Sequence, residues 1–194
     1  MLNNRVQVDT IYYKGFWQSW PSSTLKKLHL FGINGSIFFL FPNYLSNRFQ
    51  QVTVLGRTSN LLPVIFGVPQ GSILRPLMFL VYVNDLATVS VNSSIALFAD
   101  DTKCYRPVMN IDDGRLLQEV LDRITLWCKD WRMDLNQSKC TVMSITRNAS
   151  QVISSYMLQN APVQGTDAQK DLGILVCNDL KWNFHVLEAA SKAK

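Results

Sequence analysis

Two adjacent aspartates, Asp100 and Asp101, interrupt a stretch that otherwise has the pattern of a buried β-hairpin. The apolar run 95–99 precedes them and the mixed run 102–105 follows. Aspartate is common in turns because its carboxylate bonds to the local backbone, so the pair alone predicts a tight turn between two strands. In a buried hairpin, however, two neighbouring carboxylates would repel each other unless a cation neutralised them. Magnesium suits such a site, since it takes one or two protein carboxylates together with substrate phosphates.

The composition predicts an ordered intracellular protein with a polyanionic partner. Of the 194 residues, 47% are hydrophobic and 17% charged, which is enough for a core, and the net charge of +5 suits nucleic acid. The first ten residues are polar, which argues against a signal peptide, and the most apolar windows, 36–45 and 73–86, are too short to cross a bilayer. We therefore expect a nuclear or cytoplasmic protein that is neither secreted nor membrane-bound, with its oligomeric state left open. The cysteines have no CxxC or histidine-rich spacing, which argues against zinc and favours buried free thiols at Cys104, Cys128, Cys140 and Cys177.

Hydrophobic periodicity predicts helices mixed with antiparallel hairpins, an α+β fold. Helices are expected over 23–45, 72–87 and 111–132, and another begins near residue 185. Hairpins are expected from "QQVTVLG" to "RTSNLLPVIFG" and across the aspartate pair. Further strands are expected in "SKCTVMSI", "QVISSYML" and "DLGILVCNDLKW".

The order of motifs resembles the reverse transcriptases of non-LTR, LINE-type retrotransposons, in particular the jockey-like group. "FADDTKCY" carries this resemblance together with "GVPQGSILRPLMFLVYVNDL" before it and "MDLNQSKCTVM" and "KDLGILVCNDLKW" after it. The likeness runs from "VDTIYY" to the end of the chain. It implies a polymerase palm, an antiparallel sheet with backing helices, that binds an RNA template, a DNA primer and deoxynucleoside triphosphates and uses two magnesium ions.

The resemblance assigns roles to individual residues. Asp100 and Asp101 match the metal-binding aspartates, and Lys139 matches a lysine near the nucleotide phosphates that could stabilise charge or donate a proton. Lys139 could equally be a solvated cation. The positions expected to bind the nucleotide and the template are Gly67, Pro69, Gln70, Gly71 and Phe98, of which Phe98 would occupy the apolar slot before the catalytic turn and Gln70 could be only a loop residue. The strand expected to grip the primer end contains Leu172, Gly173 and Ile174. Leu172 and Ile174 are also expected to be core residues.

The likeness fails at the first catalytic motif. The family places a third carboxylate after an apolar strand, but here Tyr13 is followed by "KGFWQSW". Asp9 lies about four positions too early and, by strand alternation, is poorly placed to replace it. Arg75 stands where the family has glycine. We therefore expect little or no polymerase activity from this chain alone.

Three hypotheses follow for the function. The chain is a degenerate retrotransposon remnant, an active enzyme in which Asp9 supplies the missing acid, or a non-catalytic palm that binds nucleic acid or protein. The domain boundaries expected are a partial reverse transcriptase domain at 1–185, with a degenerate first motif at 8–24 and most of the fingers absent. The start of a truncated thumb or connection helix is expected at 186–194.

Overall fold

A computed structural model describes residues 6–14, 21–65, 71–147 and 151–193. The chain forms two compact units. Unit 1 contains residues 1–15, 87–127 and 135–194, and unit 2 contains residues 16–86 and 128–134. The described strands are β1 (Gln7–Lys14), β2 (Phe49–Gln50), β3 (Thr53–Val54), β4 (Arg57–Thr58), β5 (Leu62–Pro63), β6 (Ser94–Phe98), β7 (Asp101–Val108), β8 (Thr141–Ile145), β9 (Met157–Leu158), β10 (Ala161–Pro162), β11 (Gln164–Gly165), β12 (Ala168–Asp171) and β13 (Ile174–Cys177). The described α-helices are α1 (Pro21–Leu30), α2 (Leu40–Leu45), α3 (Leu74–Val83), α4 (Ile111–Asp130) and α5 (Asn183–Lys192).

Unit 1 is organised around a five-stranded sheet in the order β11-β8-β1-β7-β6. The central strand β1 is antiparallel to both β7 and β8, and β6 pairs with β7 at one edge. Only β11 runs parallel to its neighbour, β8. This largely antiparallel sheet, combined with the helices, confirms the predicted α+β class.

Helix α4 confirms the clearest periodicity in the sequence. Its expected face is buried, at Leu117, Val120, Leu121, Ile124, Trp127 and Cys128. The Asn110 side chain accepts a hydrogen bond from the Asp113 amide (3.0 Å), and Asp113 accepts one from the Met109 amide (2.9 Å). These two bonds satisfy amide groups at the start of the helix. The helix ends at Asp130, two residues before the predicted end.

Unit 2 contains α1, α2 and α3 and corrects the prediction of one helix over 23–45. Helix α1 ends at Leu30, and a 3₁₀ turn at Gly35–Ile37 separates it from α2. Gly32 and Gly35 have φ values of +80° and +68°, outside the helical region, so the helical pattern is broken there. Lys27 is fully buried in this unit, forms an ion pair with Asp85 and lies 3.9 Å from the ring centroid of Trp131.

Two predictions about later strands need correction. In "QVISSYML", only Met157–Leu158 is strand, because residues 151–156 do not enter a ladder. The stretch "DLGILVC" belongs to a hairpin, β12–β13, rather than to one strand. The prediction of buried cysteines without disulfides is confirmed, since all four are buried and none forms a disulfide. Within the described ranges, no helix is both long and apolar enough to cross a membrane.

Candidate active site at the Asp100–Asp101 turn

The aspartate pair lies at the tip of the β6–β7 hairpin, as the sequence predicts. Phe98 pairs with Asp101, so Ala99 and Asp100 form a two-residue loop. Ala99 has a φ of +49°, a region that residues with a β-carbon seldom occupy. Such strain costs on the order of 1–3 kcal/mol and tends to occur at functional sites, where neighbouring structure maintains it.

The hairpin tip is exposed, which corrects the expectation of a buried hairpin. Strand β6 is at the sheet edge, and the side chain of Phe98 is 63% exposed. Asp100 is exposed and Asp101 is half-buried. Water can therefore solvate both carboxylates, so burial alone does not require a cation. The case for a metal here comes from the family and from the oxygen donors themselves.

The register of β1 excludes Asp9 as a third ligand beside this tip. Asp101 pairs with Lys14, whereas Asp9 pairs with Arg106, five residues further along β7. At about 3.4 Å per residue this separation is about 17 Å along the strand. Since Asp101 and Arg106 are an odd number of residues apart, Asp9 also belongs to the opposite face of the sheet from Asp101. The hypothesis that Asp9 replaces the missing acid is therefore wrong for this fold.

Asp9 instead belongs to a buried hydrogen-bond network. Its carboxyl group accepts hydrogen bonds from the Tyr156 hydroxyl (2.6 Å) and from Gln7 Nε2 (2.8 Å). The Gln7 amide also bonds to both backbone groups of Val152, at 2.8 and 2.9 Å. Burial and the hydrogen bond to Asp9 raise the pKa of Tyr156. This network connects β1 to the 152–156 segment, and each carboxylate oxygen of Asp9 accepts one of its hydrogen bonds.

The β12–β13 hairpin lies on the face of the sheet that contains Asp101. Lys103, two residues beyond Asp101 on β7, forms an ion pair with Asp171, and Thr141 on β8 donates a hydrogen bond to Gln169 (3.0 Å). Tyr12, which pairs with both Lys103 and Thr141, is almost fully buried. Strand β12 therefore crosses the sheet from β8 to β7. Burial, with the negative charge of Asp171, raises the pKa of Tyr12 to about 12.

Leu172 and Gly173, two of the three residues expected in the primer-gripping strand, form the turn of this hairpin. Their φ values are +47° and +89°, the signs required for a type I′ turn. Leu172 is 53% exposed and Ile174 is 43% exposed, so the expectation that they are core residues is wrong. Asp171, immediately before the turn, connects it to Lys103 and hence to the strand that begins at Asp101.

Lys139 lies at the end of the sheet that contains Asp101. It is exposed in a 3₁₀ turn at Gln137–Lys139, two residues before Thr141. Thr141 pairs with Tyr12, so Lys139 is level with the end of β1 that pairs with Asp101. Gly71 belongs to unit 2, where its φ of +77° favours glycine and nothing lies within 4 Å of a β-carbon built there. The predicted positions Gly67, Pro69 and Gln70 lie outside the described residues.

Sequence reasoning missed the Lys103–Asp171 pair. Strand alternation does place Lys103 on the Asp101 face, but no local signal connects it to a residue 68 positions away. In the described ranges, no group of three or more histidine, cysteine, aspartate or glutamate side chains has the geometry to hold a metal ion.

Comparison with known proteins agrees with the motifs. The family described as "Reverse transcriptase (RNA-dependent DNA polymerase)" matches residues 6–178. In Drosophila melanogaster, the probable RNA-directed DNA polymerase from transposon X-element is 30% identical over 162 residues, which cover 81% of this chain and 18% of that protein. The RNA-directed DNA polymerase from mobile element jockey is 28% identical over 160 residues, 77% of this chain and 17% of that protein.

A third relative, the probable RNA-directed DNA polymerase from transposon BS of the same species, is 28% identical over 181 residues. These residues are 88% of this chain and 19% of the relative. The chain thus spans less than a fifth of the length of the curated relatives it matches. Since the family match covers most of the chain, the protein belongs to the reverse transcriptase family, as its resemblance to the non-LTR retrotransposon enzymes predicted.

Proposed function

We propose that this chain is the palm of an RNA-directed DNA polymerase, which extends a DNA primer on an RNA template. The observation that carries the proposal is the strained hairpin tip that presents Asp100 and Asp101 at the end of a palm-like sheet. Its substrates are deoxynucleoside triphosphates. The net charge of +5 favours binding of template and primer.

The donor set at the tip fits magnesium, provided that the substrate supplies further ligands. Asp100 and Asp101 offer hard carboxylate oxygens that are accessible to solvent. Magnesium is usually held by one or two carboxylates, with phosphate oxygens and water completing its octahedron. Asp100 and Asp101 would hold these ions, which would supply activation of the primer 3′-hydroxyl and stabilisation of the pyrophosphate leaving group.

The remaining site residues position the substrates in this proposal. Lys139 neutralises charge on the triphosphate from the end of the sheet that also contains Asp101. The Leu172–Gly173 turn holds the primer end, and the Lys103–Asp171 ion pair fixes this turn to the strand that begins at Asp101. Gln70 and Gly71 contact the template and the incoming nucleotide, and Phe98 occupies the apolar slot before the catalytic turn.

The proposed polymerase activity is low, because the position facing Asp101 is basic. Lys14 is the β1 residue that pairs with Asp101, and no carboxylate of β1 falls on the same sheet face. Without a third carboxylate the site would offer the metal ions one ligand fewer, and precise positioning supplies much of the rate enhancement in such sites. We propose that residues 1–185 form the partial reverse transcriptase domain and that residues 186–194 are the start of a truncated thumb or connection helix. Buried cysteines without disulfides suit a reducing compartment, nuclear or cytoplasmic.

Primer extension tests the proposal directly. Oligo(dT) annealed to poly(A) is incubated with the chain, labelled dTTP and magnesium or manganese. We expect weak extension that Asp100→Asn and Asp101→Asn abolish. If both variants retain the wild-type signal, the Asp100–Asp101 turn is not the catalytic site.

A gain of function at Lys14 provides a sharper test. In Lys14→Asp a carboxylate faces Asp101, because directly paired residues have β-carbons about 4.5–5.5 Å apart. We expect extension to increase by about 10-fold or more relative to wild type. Lys14→Asn is the matched control, since it removes the same positive charge without adding a carboxylate. Equal activities of the two variants would contradict a metal-ligand role for this position.

A further inference from the structure

A β-ribbon in unit 2 is exposed to solvent along its whole length in the part of the chain that the structure describes. The 49–63 ribbon consists of β2 paired with β5 at its base and β3 paired with β4 at its tip. Every residue from 49 to 63 is exposed. Isolated two-stranded ribbons are marginally stable in water, so an exposed one suggests a role in binding.

The tip of the 49–63 ribbon is apolar and strained. Leu55 and Gly56 form the two-residue loop, with φ values of +49° and +75°. Leu55 is 99% exposed, so burial of its side chain does not offset the free-energy cost of its backbone conformation. Val52 and Val54, beside it, are 64% and 61% exposed. An apolar tip of this kind is suited to contact something outside the described chain.

The charge around the ribbon indicates the chemistry of its partner. Unit 2, to which the ribbon belongs, contains seven lysines and arginines, Lys26, Lys27, Arg48, Arg57, Arg75, Lys129 and Arg132, and three acidic residues, Asp85, Asp130 and Asp134. Lys27 is buried and forms an ion pair with Asp85, and the other basic residues outnumber the other acidic ones. Arg57, next to the tip, is exposed and forms no ion pair with another described residue. This balance favours a polyanion, whereas a second copy of a chain with net charge +5 offers no charge complementarity.

The shape of the ribbon favours B-form DNA over A-form duplexes as its partner. Two residues, 51–52, lie opposite three, 59–61, so the ribbon contains a bulge, which increases its twist. The major groove of B-form DNA is about 12 Å wide and admits a two-stranded ribbon. A-form duplexes have a deep, narrow major groove that side chains cannot read, and RNA–DNA hybrids share that geometry.

We propose that the 49–63 ribbon binds duplex DNA by inserting its Leu55–Gly56 tip into the major groove, with Arg57 on the phosphate backbone. Leu55 and Val54 contact thymine methyl groups, which lie in that groove. This is a binding activity separate from the Asp100–Asp101 turn, because it needs neither metal nor nucleotide. The chain then has a second nucleic-acid site, specific for B-form duplex.

Equilibrium binding without metal tests this proposal independently of polymerase activity. Fluorescence anisotropy in EDTA compares the full chain on a 20-base-pair DNA duplex, the RNA–DNA hybrid of the same sequence and the single-stranded RNA. We expect Arg57→Ala and Leu55→Asp each to weaken duplex DNA binding by about 10-fold. Arg57→Ala also lowers the log–log salt slope by about 1, as expected for one lost phosphate contact.

Matched controls come from α4 in unit 1. Arg123 and Leu126 are exposed there. Arg123→Ala removes an exposed guanidinium and Leu126→Asp replaces an exposed leucine by a carboxylate, as the ribbon variants do, and both should leave duplex binding unchanged. Thermal melting verifies that every variant is folded. The proposal is overturned if the ribbon variants bind duplex DNA like wild type, if binding to the hybrid or the RNA falls equally, or if Leu55→Asp only dissociates a dimer in sedimentation. Loss of primer extension with duplex binding intact would instead indicate failure of the polymerase proposal.

Discussion

Substitution of Asp9 separates its structural role from a catalytic one. Asp9→Ala removes the acceptor of two buried hydrogen bonds, from Tyr156 and from Gln7. The Tyr156 hydroxyl loses its acidic partner, whereas Gln7 retains both of its bonds to Val152. A buried polar group without its partner costs about 1–3 kcal/mol, so we expect the free energy of unfolding to fall by about 2–4 kcal/mol.

The isosteric variant Asp9→Asn should be milder. Its carbonyl can accept from Gln7, and its NH₂ group can donate to the Tyr156 hydroxyl, which accepts as well as donates. We expect a loss of about 1 kcal/mol. Tyr156→Phe should fall between the two variants, because it removes one bond and leaves the Asp9 carboxyl group with fewer donors.

Urea unfolding monitored by circular dichroism measures these losses, and primer extension is measured at a temperature where all variants are folded. The folded fraction of each variant should retain the wild-type extension rate, since Asp9 lies about 17 Å along the strand from Asp101 and on the other face. The reasoning is refuted if Asp9→Asn abolishes extension while its unfolding midpoint stays at the wild-type value.

Other predictions concern stability. Asp85→Ala should destabilise the chain by about 3 kcal/mol and Lys27→Met by only about 1 kcal/mol, because the first change removes the carboxylate partner of a buried ammonium and the second leaves a part-exposed carboxylate. Equal urea midpoints would contradict this asymmetry. Burial raises the pKa of Cys104 from 9.0 to about 12. The free energy of unfolding should therefore be highest below pH 9 and decline as the pH rises toward 12, because the unfolded chain loses this proton first. In urea midpoints measured from about pH 8 to 11, Cys104→Ala should show a smaller decline than the wild type. Lys103→Ala and Asp171→Ala should each accelerate amide exchange in the β12–β13 hairpin by a few-fold, with no further increase in the double variant; additive effects would mean that the ion pair does not hold the hairpin.

Local patterns predicted those elements whose cause is local. The 3.6-residue period of α4 and the turn chemistry of the aspartate pair both yielded correct elements. The departure at Tyr13 was also visible in the sequence, and strand alternation correctly made Asp9 a poor substitute. In each case the deciding residues lie within one helix or one hairpin.

Errors arose where partners distant in sequence decide the structure. The apolar run before Asp100 predicted burial, but β6 is an edge strand, and edge position depends on the order of strands in the sheet. Leu172 and Ile174 look like core residues in a linear pattern, yet a type I′ turn and exposed positions accommodate them. The sequence predicted a hairpin over this part of the chain, whereas the exposure of every residue from 49 to 63 is visible only in the structure.

Backbone strain is a feature common to the candidate sites. Ala99, Leu55 and Leu172 each occupy the first position of a two-residue hairpin loop with positive φ, where glycine or asparagine would be less costly. Leu55 and Leu172 are exposed, so neither recovers the cost through packing in the fold. Strain without folding benefit is expected where a side chain is retained for its contacts with a ligand. Gln159 has the same conformation, with a φ of +49°, in the two-residue loop between β9 and β10, so positive φ alone does not identify a site. In the proposals above, ligand contacts offset the cost at three tips: the nucleotide site at Ala99, the primer end at Leu172 and duplex DNA at Leu55.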